Sequence, residues 1–181
     1  WWLIFIMITG MILFVRKIKK IPKGRYLIDK LLLFLPVIGP LVKKLAVARF
    51  ARTLGSLLEN GVTMLTALGI VKNIVGNVLI SDAIEKAAKQ VEQGHGLGIS
   101  LDASKIFPHI SIQMIQVGEQ SGKLETLLNK VSDLYESDVE SSVSTMTSLL
   151  EPVVILVMGI IVGFIVLSIC LPIFEMNQLV K

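Results

Sequence analysis

The chain has 181 residues, of which 53% are hydrophobic and 18% are charged, and its mean hydropathy is +0.74. Average globular domains have about 45–50% apolar and about 25% charged residues, so this composition excludes a disordered chain and favours one partly embedded in lipid. A single Cys excludes an internal disulfide, and the net charge of +4 matters more by its placement than by its size.

The first apolar block, WWLIFIMITGMILFV at residues 1–15, predicts a transmembrane helix. As a helix it would extend about 22 Å, short of the roughly 30 Å hydrocarbon core. Because the chain begins with Trp rather than Met, we expect a span truncated at its N-terminus, in a piece of a longer protein. A signal peptide is the alternative, but it needs basic residues before the apolar run, and here they follow it.

Six basic residues come directly after this block: Arg16, Lys17, Lys19, Lys20, Lys23 and Arg25. The positive-inside rule therefore predicts that residues 16–150 are cytoplasmic and that the tail at 175–181 is periplasmic. A nucleic-acid patch explains the cluster less well, because basic residues beside a span usually reflect topology and anionic headgroups. We expect membrane lipid, and no nucleic acid, as a partner.

Residues 16–150 are predicted to form a compact all-α bundle of about six helices, because apolar residues recur at helical spacing and turn residues fall at helix-length intervals. Gly61, Gly94 and Gly118 are expected to end three helices, and Thr63 and Ser121 to cap two. Further helices are expected at about residues 81–93 and from 107. The stretch GHGLGIS at 94–100 is predicted to be a flexible connection, with a short helical turn at 101–104.

A second transmembrane helix is predicted at residues 151–174, since residues 153–174 carry no charge. Gly159 and Gly163 form a GxxxG pair, which predicts close packing against another helix. Pro152 marks the entry to the span. Glu151 beside it needs a partner, because a carboxylate next to hydrocarbon is costly unless it is paired or hydrated.

No catalytic, cofactor-binding or metal site is predicted. His95 and His109 lie in different loops, and Glu92 with His95 supplies one i, i+3 pair where a di-iron bundle needs two. GxGxxG is incomplete because residue 99 is Ile, and GxSxG is absent at 118–122 because residue 120 is Gln. We expect neither an enzyme nor a cofactor.

Three carboxylates share one face of the predicted long helix at i, i+3 and i+7, namely those of Asp133, Glu136 and Glu140, with Asp138 close by. One hypothesis is a docking surface for a basic partner. A solvated helix face is the plain alternative, and a site for a divalent cation is a third.

Three blocks, in order, resemble the F-type inner-membrane platform protein of bacterial type II secretion systems, whose superfamily includes the platform proteins of type IV pilus assembly. The blocks are LPVIGPLVKKLAVARFARTLGSLLENGV, FPHISIQMIQVGEQSGKLETLL and LLEPVVILVMGIIVGFIVLSICLPIFEMNQL. The motif positions carried over are Gly61, Pro108, Gly118, Glu119, Ser121, Gly122, Glu151 and Pro152. The ending LPIFEMNQL is more similar to the secretion branch.

The resemblance implies a protein without enzymatic activity, with two cytoplasmic helical domains and three membrane helices, of which this chain would hold the second domain and the last two spans. It implies a platform that couples a cytoplasmic secretion ATPase to pseudopilus assembly for protein export across the outer membrane. The implied partners are that ATPase, bitopic inner-membrane adaptor proteins, pseudopilins and further copies of the protein. The alternatives are a type IV pilus platform and, from another class, a subunit of a small-molecule transporter.

Overall fold

The computed structural model describes residue 2, residues 22–36 and residues 38–179, with side chains from residue 24 to residue 168 apart from 25 and 37. The predicted span at residues 1–15 lies outside the described residues except for Trp2, and so does the basic stretch at 16–20.

The described part of the chain is all α-helical, as the sequence predicts, and contains seven helices and no strand. The helices are α1 (Pro22–Phe34), α2 (Ile38–Glu59), α3 (Met64–Val71), α4 (Val78–Glu92), α5 (Leu97–Asp102), α6 (His109–Ser121) and α7 (Leu124–Leu179). The chain divides into two compact units, Trp1–Val139 and Glu140–Lys181. The first unit contains α1–α6 and the start of α7, and the second contains the rest of α7.

The core of the first unit is one continuous apolar cluster. Helical spacing predicts one apolar stripe on α2, formed by Val47, Phe50, Ala51, Leu54, Leu57 and Leu58. The first four are buried in the cluster, and Leu57 and Leu58 pack against it partly buried, which confirms the stripe. The ring of Phe50 meets that of Phe107 edge-on, with 5.2 Å between centroids, an arrangement that aromatic quadrupoles favour. These contacts connect α2 to the segment before α6.

Helical spacing of the apolar residues predicts that Leu65 and Leu134 face the core, and this is wrong. Each is 43% exposed. In α3 the buried positions are instead Ala67, Leu68 and Val71, because this eight-residue helix presents only a narrow face to the core. In α7, Val131 and Tyr135 fill the inner face beside Leu134.

Left-handed glycines end three helices, and one of them is not the predicted residue. Gly61 (φ 79°) and Gly94 (φ 90°) end α2 and α4 as expected. Gly118 was expected to end the next helix, which is wrong: α6 continues to Ser121, and Gly122 (φ 66°) follows it. Gly122 N donates to Glu119 O and Lys123 N to Gly118 O, the paired bonds of a Schellman motif.

The predicted cap at Ser121 is therefore wrong as well, since α7 begins at Leu124. Ser121 Oγ donates instead to Gly118 O within α6. Thr63 does precede α3 in an extended conformation, but its hydroxyl contacts Thr66 Oγ1 and caps no backbone amide.

Residues 97–100 are helical rather than a flexible connection, because α5 starts at Leu97 and ends at Asp102. Helix α4 begins at Val78, three residues before the predicted start at Ser81. The reason is Asn77, whose side-chain oxygen accepts hydrogen bonds from Leu79 N at 3.0 Å and Ile80 N at 3.3 Å.

Among the described residues, one helix is long and apolar enough by itself to cross a membrane. It covers Leu124–Ser168, and its most apolar stretch has a mean hydropathy of 2.7 with no residue buried. The bent pair Tyr26–Phe34 and Ile38–Glu59 passes the same test only when counted as one span, yet Phe50 and Leu54 of that pair lie in the core.

Candidate interaction sites

The GEQSG segment at residues 118–122 joins α6 to the start of α7. Gly118 is buried, and a Cβ there would lie 3.0 Å from Leu124 Cα and 3.2 Å from Leu127 Cβ. A larger residue would therefore separate the two helices. Residues 118–121 form the last turn of α6, and Gly122 in the left-handed conformation ends the helix, so the chain passes from α6 to α7 through a tight turn.

Glu119 connects this turn to α5. Its carboxylate accepts hydrogen bonds from Leu97 N at 2.5 Å and Gly98 N at 3.0 Å, two of the amides that a helix N-terminus leaves without intrahelical partners. A carboxylate at this position also interacts favourably with the helix dipole. Glu119 is thus a cap from a neighbouring helix. No local sequence pattern predicts this role, because the partners are 21 and 22 positions apart in the chain.

Gly98 allows α5 and α6 to approach closely at the same place. A Cβ on residue 98 would lie 2.4 Å from Gln116 Cγ and 3.2 Å from Gln116 N. Pro108, another motif position, precedes α6 in an extended conformation, and its carbonyl accepts from Ser111 Oγ at 2.6 Å. The motif residues of the first unit therefore lie at helix ends, namely Gly61 after α2, Pro108 before α6, and Gly118, Glu119, Ser121 and Gly122 at the end of α6. Of these, Gly118 packs against α7 and Glu119 binds the start of α5.

A guanidinium from another helix binds the predicted acidic face, and the helical spacing of the carboxylates does not predict it. Arg52 of α2 donates through Nη2 to Asp133 Oδ1 at 2.5 Å and to Glu136 Oε2 at 2.7 Å, and through Nε to Glu136 Oε1 at 3.1 Å. Ser132 Oγ donates to Glu136 Oε1 at 2.9 Å. The surface is thus a charge network between α2 and α7 rather than a row of carboxylates alone.

The network changes the electrostatics of its members. Hydrogen bonding from Arg52 holds the pKa of the Glu136 carboxyl below its ordinary value, and burial opposes this only in part. The pKa of Arg52 is raised by its hydrogen bonds to Glu136 and then to Asp133. Both carboxylate side chains stay accessible, at 67% for Asp133 and 47% for Glu136. Both carboxylates can therefore still contact a partner protein, although the single positive charge of Arg52 balances one of their two negative charges.

A second ion pair lies on the same two helices, between Lys44 Nζ and Asp138 Oδ2 at 3.1 Å. Glu140, the third residue of the predicted face, belongs to the second unit. The pairs between α2 and α7 join residues more than 80 positions apart, which explains why helical spacing alone did not find Arg52.

The remaining predicted site residues lie in the second unit. Glu151 and Pro152 are exposed, and so are Gly159 and Gly163. A Cβ on either glycine would have no heavy atom within 4 Å, other than its own helix and chain neighbours. This face of α7 is therefore open within the described chain.

Nothing in the described ranges, 22–36 and 38–179, gathers three or more His, Cys, Asp or Glu residues that could hold a metal ion. His95 Nδ1 lies 3.1 Å from Gln90 O, and His109 Nε2 lies 3.0 Å from Gln113 Nε2. Each histidine thus contacts a residue four or five positions away in the chain.

The fold and these contacts define a helical scaffold joined to an apolar helix. The family model described as "Type II secretion system (T2SS), protein F" matches residues 50–172. The chain belongs to this family, whose members in the secretion and pilus branches are non-catalytic platform proteins.

The chain is similar to curated relatives from both branches. It is 38% identical over 182 residues to "Type IV pilus assembly protein PilC" of Pseudomonas aeruginosa, covering 99% of this chain and 49% of the relative. It is 37% identical over 179 residues to "Type II secretion system protein F" of Xanthomonas campestris pv. campestris, covering 98% and 44%. A PilC of Thermus thermophilus is 43% identical over 155 residues, covering 85% and 38%. The chain thus spans about half or less of these relatives.

Proposed function

We propose that this chain is part of an inner-membrane platform that couples a cytoplasmic secretion ATPase to pseudopilus assembly in type II secretion. The observation that carries the proposal is the family match over residues 50–172, because it includes most of the core of the bundle and most of the apolar part of α7. The partners we propose are the ATPase, bitopic inner-membrane adaptors, pseudopilins and further copies of the protein.

A type IV pilus platform is the second candidate, since curated relatives carry both names. The ending LPIFEMNQL supports the secretion branch through its resemblance to that branch. Deleting the gene in its own bacterium separates the two. Loss of exported enzymes from the medium with normal pili supports secretion, and loss of surface pili with normal export supports pilus assembly.

Co-purification gives an independent test of the same choice. The tagged protein is extracted in mild detergent, and its partners are identified by mass spectrometry. Recovery of a secretion ATPase with pseudopilins supports the proposal, whereas recovery of pilus components assigns the other branch. Recovery of neither, with a known platform as positive control, would contradict a platform role and favour the transporter alternative.

We propose a topology in which residues 1–15 and 151–174 cross the inner membrane, 16–150 lie in the cytoplasm and 175–181 lie in the periplasm. The mean hydropathy of 2.7 in α7 and the basic cluster after residue 15 support it. Alkaline phosphatase fused after residue 181 should be active, since it works only in the periplasm. The same reporter fused after residue 100 should be inactive, and the reverse pattern would contradict the topology.

The docking hypothesis concerns Asp133, Glu136 and Glu140, and its test must separate docking from internal pairing with Arg52. Reversing all three carboxylates to Lys removes both functions. Adding Arg52→Glu to that variant restores opposite charges between α2 and α7. If the swap restores secretion and complex assembly, the carboxylates act inside the bundle. Continued loss supports docking, and Glu92→Lys, an exposed reversal elsewhere, controls for net charge.

Glu151 and the Gly159/Gly163 face are proposed to contact another membrane helix. Both glycines are exposed, and a Cβ at either would meet nothing within the described chain beyond its own helix, so a larger side chain there is expected to project away from the fold. Gly159→Ile with Gly163→Ile should therefore reduce co-purification of membrane partners while leaving the bundle's unfolding temperature unchanged. Unchanged partner recovery would contradict the helix contact.

A further inference from the structure

Helix α1 carries a row of large apolar side chains that face away from the bundle. Leu27, Leu31 and Phe34 follow one another at i, i+4 and i+7 and are 71%, 66% and 77% exposed. An isolated exposed Leu needs no explanation, but a stripe of three on one helix face marks a surface that something covers.

The opposite face of α1 is attached to the bundle, so the outward stripe is not a sign of a detached helix. Asp29 is buried, and its Oδ2 accepts a hydrogen bond from Val78 N at 2.9 Å at the start of α4. Asn77 Nδ2 donates to Asp29 O at 3.3 Å, and Leu33 packs against the core. Helix α1 is thus held on one side and apolar on the other.

The charges around the stripe indicate what covers it. Lys30 is exposed beside it, and residues 16–30 contain seven basic residues against one acidic residue, the buried Asp29. Six residues separate the apolar block at 1–15 from Pro22. An apolar helix face with an exposed Lys beside it, in a stretch of sequence rich in Lys and Arg and close to an apolar segment of membrane type, matches an anionic lipid surface better than it matches a protein partner.

We propose that the apolar stripe of α1, formed by Leu27, Leu31 and Phe34, lies in the headgroup region of an anionic membrane, with Lys30 contacting lipid phosphates. An interfacial helix of this kind buries its apolar face about 5–10 Å into the headgroup and acyl boundary. The contact would anchor the bundle through α1. The inference rests on the membrane location in the proposed function, but not on the platform role.

The test uses the whole chain with Cys170→Ser, reconstituted into vesicles of phosphatidylcholine and phosphatidylglycerol. An environment-sensitive fluorophore is placed on Leu31→Cys, an exposed position whose replacement should not affect folding. We expect strong quenching by nitroxide-labelled lipids and protection from aqueous iodide. The same label on Lys89→Cys, 70% exposed on α4, should show the opposite pattern.

The charge contribution is tested in vesicles of phosphatidylcholine alone, where protection at residue 31 should fall several-fold. Leu27→Ser with Phe34→Ser removes two apolar side chains, each contributing about tenfold or more to partitioning, and should expose the label in either vesicle. Equal protection in neutral and anionic vesicles would contradict the electrostatic part of the proposal.

The outcomes of the labelling experiment separate the explanations. Iodide access at residue 31 equal to that at residue 89 overturns the inference. Protection from both quenchers, lost when the protein is diluted in lipid, overturns it in favour of a second copy.

A label on Ile160→Cys in the apolar part of α7 must be quenched by lipid. If it is not, the membrane location itself fails, whereas a quenched label at 160 with an exposed one at 31 refutes only the α1 contact.

Discussion

Replacing Gly98 by Ala tests how closely α5 approaches α6. The added Cβ would lie 2.4 Å from Gln116 Cγ, 3.2 Å from Gln116 N and 3.4 Å from Gln116 Cα. The side chain of Gln116 must therefore move or the helices must separate, and overpacking of this kind costs about 1–3 kcal/mol. Ala gains at most about 1 kcal/mol in helix propensity over Gly. The net expectation is a loss of roughly 1–2 kcal/mol.

Gly69→Ala is the matched control, because Gly69 is also helical but a Cβ there would have no neighbour within 4 Å. It should leave the bundle unchanged or stabilise it by up to about 1 kcal/mol. The Gly-to-Ala change is thus expected to lower the stability at residue 98 and to keep or raise it at residue 69. Any effect of Ala on the unfolded chain is common to both variants, so it cancels when they are compared.

Calorimetry of the detergent-solubilised chain measures both effects, at about 4 °C in Tm per kcal/mol for a bundle of this size. Hydrogen exchange should place the loss in Gly98→Ala within α5 and α6. A Tm equal to or above that of the wild type would refute the steric argument. A double-mutant cycle with Gln116→Ala should show a coupling of about 1 kcal/mol, and additivity would exclude Gln116 as the cause.

The remaining predictions concern caps and charges. Glu119→Ala removes the acceptor for two amides at the start of α5 and should cost about 1–2 kcal/mol, with faster exchange there, while Glu119→Gln retains part of the cap. Arg52 lowers the pKa of Glu136 in the folded protein. The stability that this pair contributes is therefore fully present when the pH is above the ordinary carboxyl pKa of 4.5, and it is lost as the pH falls through the lower pKa of the folded state. Between about pH 5 and pH 3 the wild-type Tm should therefore fall more than that of Arg52→Met, by an amount equivalent to less than about 1 kcal/mol at this exposed site; equal slopes would contradict the pairing. Asp29→Ala leaves Val78 N without its acceptor and should cost about 1 kcal/mol, with exchange faster at the start of α4, and unchanged exchange there would contradict the contact.

Several features of the fold follow from the sequence because they depend on neighbours along the chain. The buried stripe of α2, from Val47 to Leu54, is set by helical periodicity alone. Gly61 after Asn60 ends α2 because glycine tolerates the left-handed conformation that the turn requires. The uncharged run at 153–174 likewise identifies the apolar part of α7 from composition.

Local rules failed where a distant residue decides the outcome. GHGLGIS looks like a flexible connection because it has three glycines, yet α5 forms there because Glu119 caps its first turn and Gly98 fits against Gln116. Gly118 resembles a helix end, but its missing side chain serves packing against Leu124 instead. Glycine permits both uses, and the sequence alone does not distinguish them.

The sequence by itself thus determined the all-α class, the apolar helix and the family, because periodicity, composition and motif order are properties of the chain. Only the tertiary structure decided that Arg52 neutralises part of the predicted acidic face, and that α1 keeps Leu31 exposed while Asp29 is buried. The physical reason is that these properties depend on which helices lie side by side. The packing of the core determines that arrangement by bringing together residues that are dozens of positions apart in the chain.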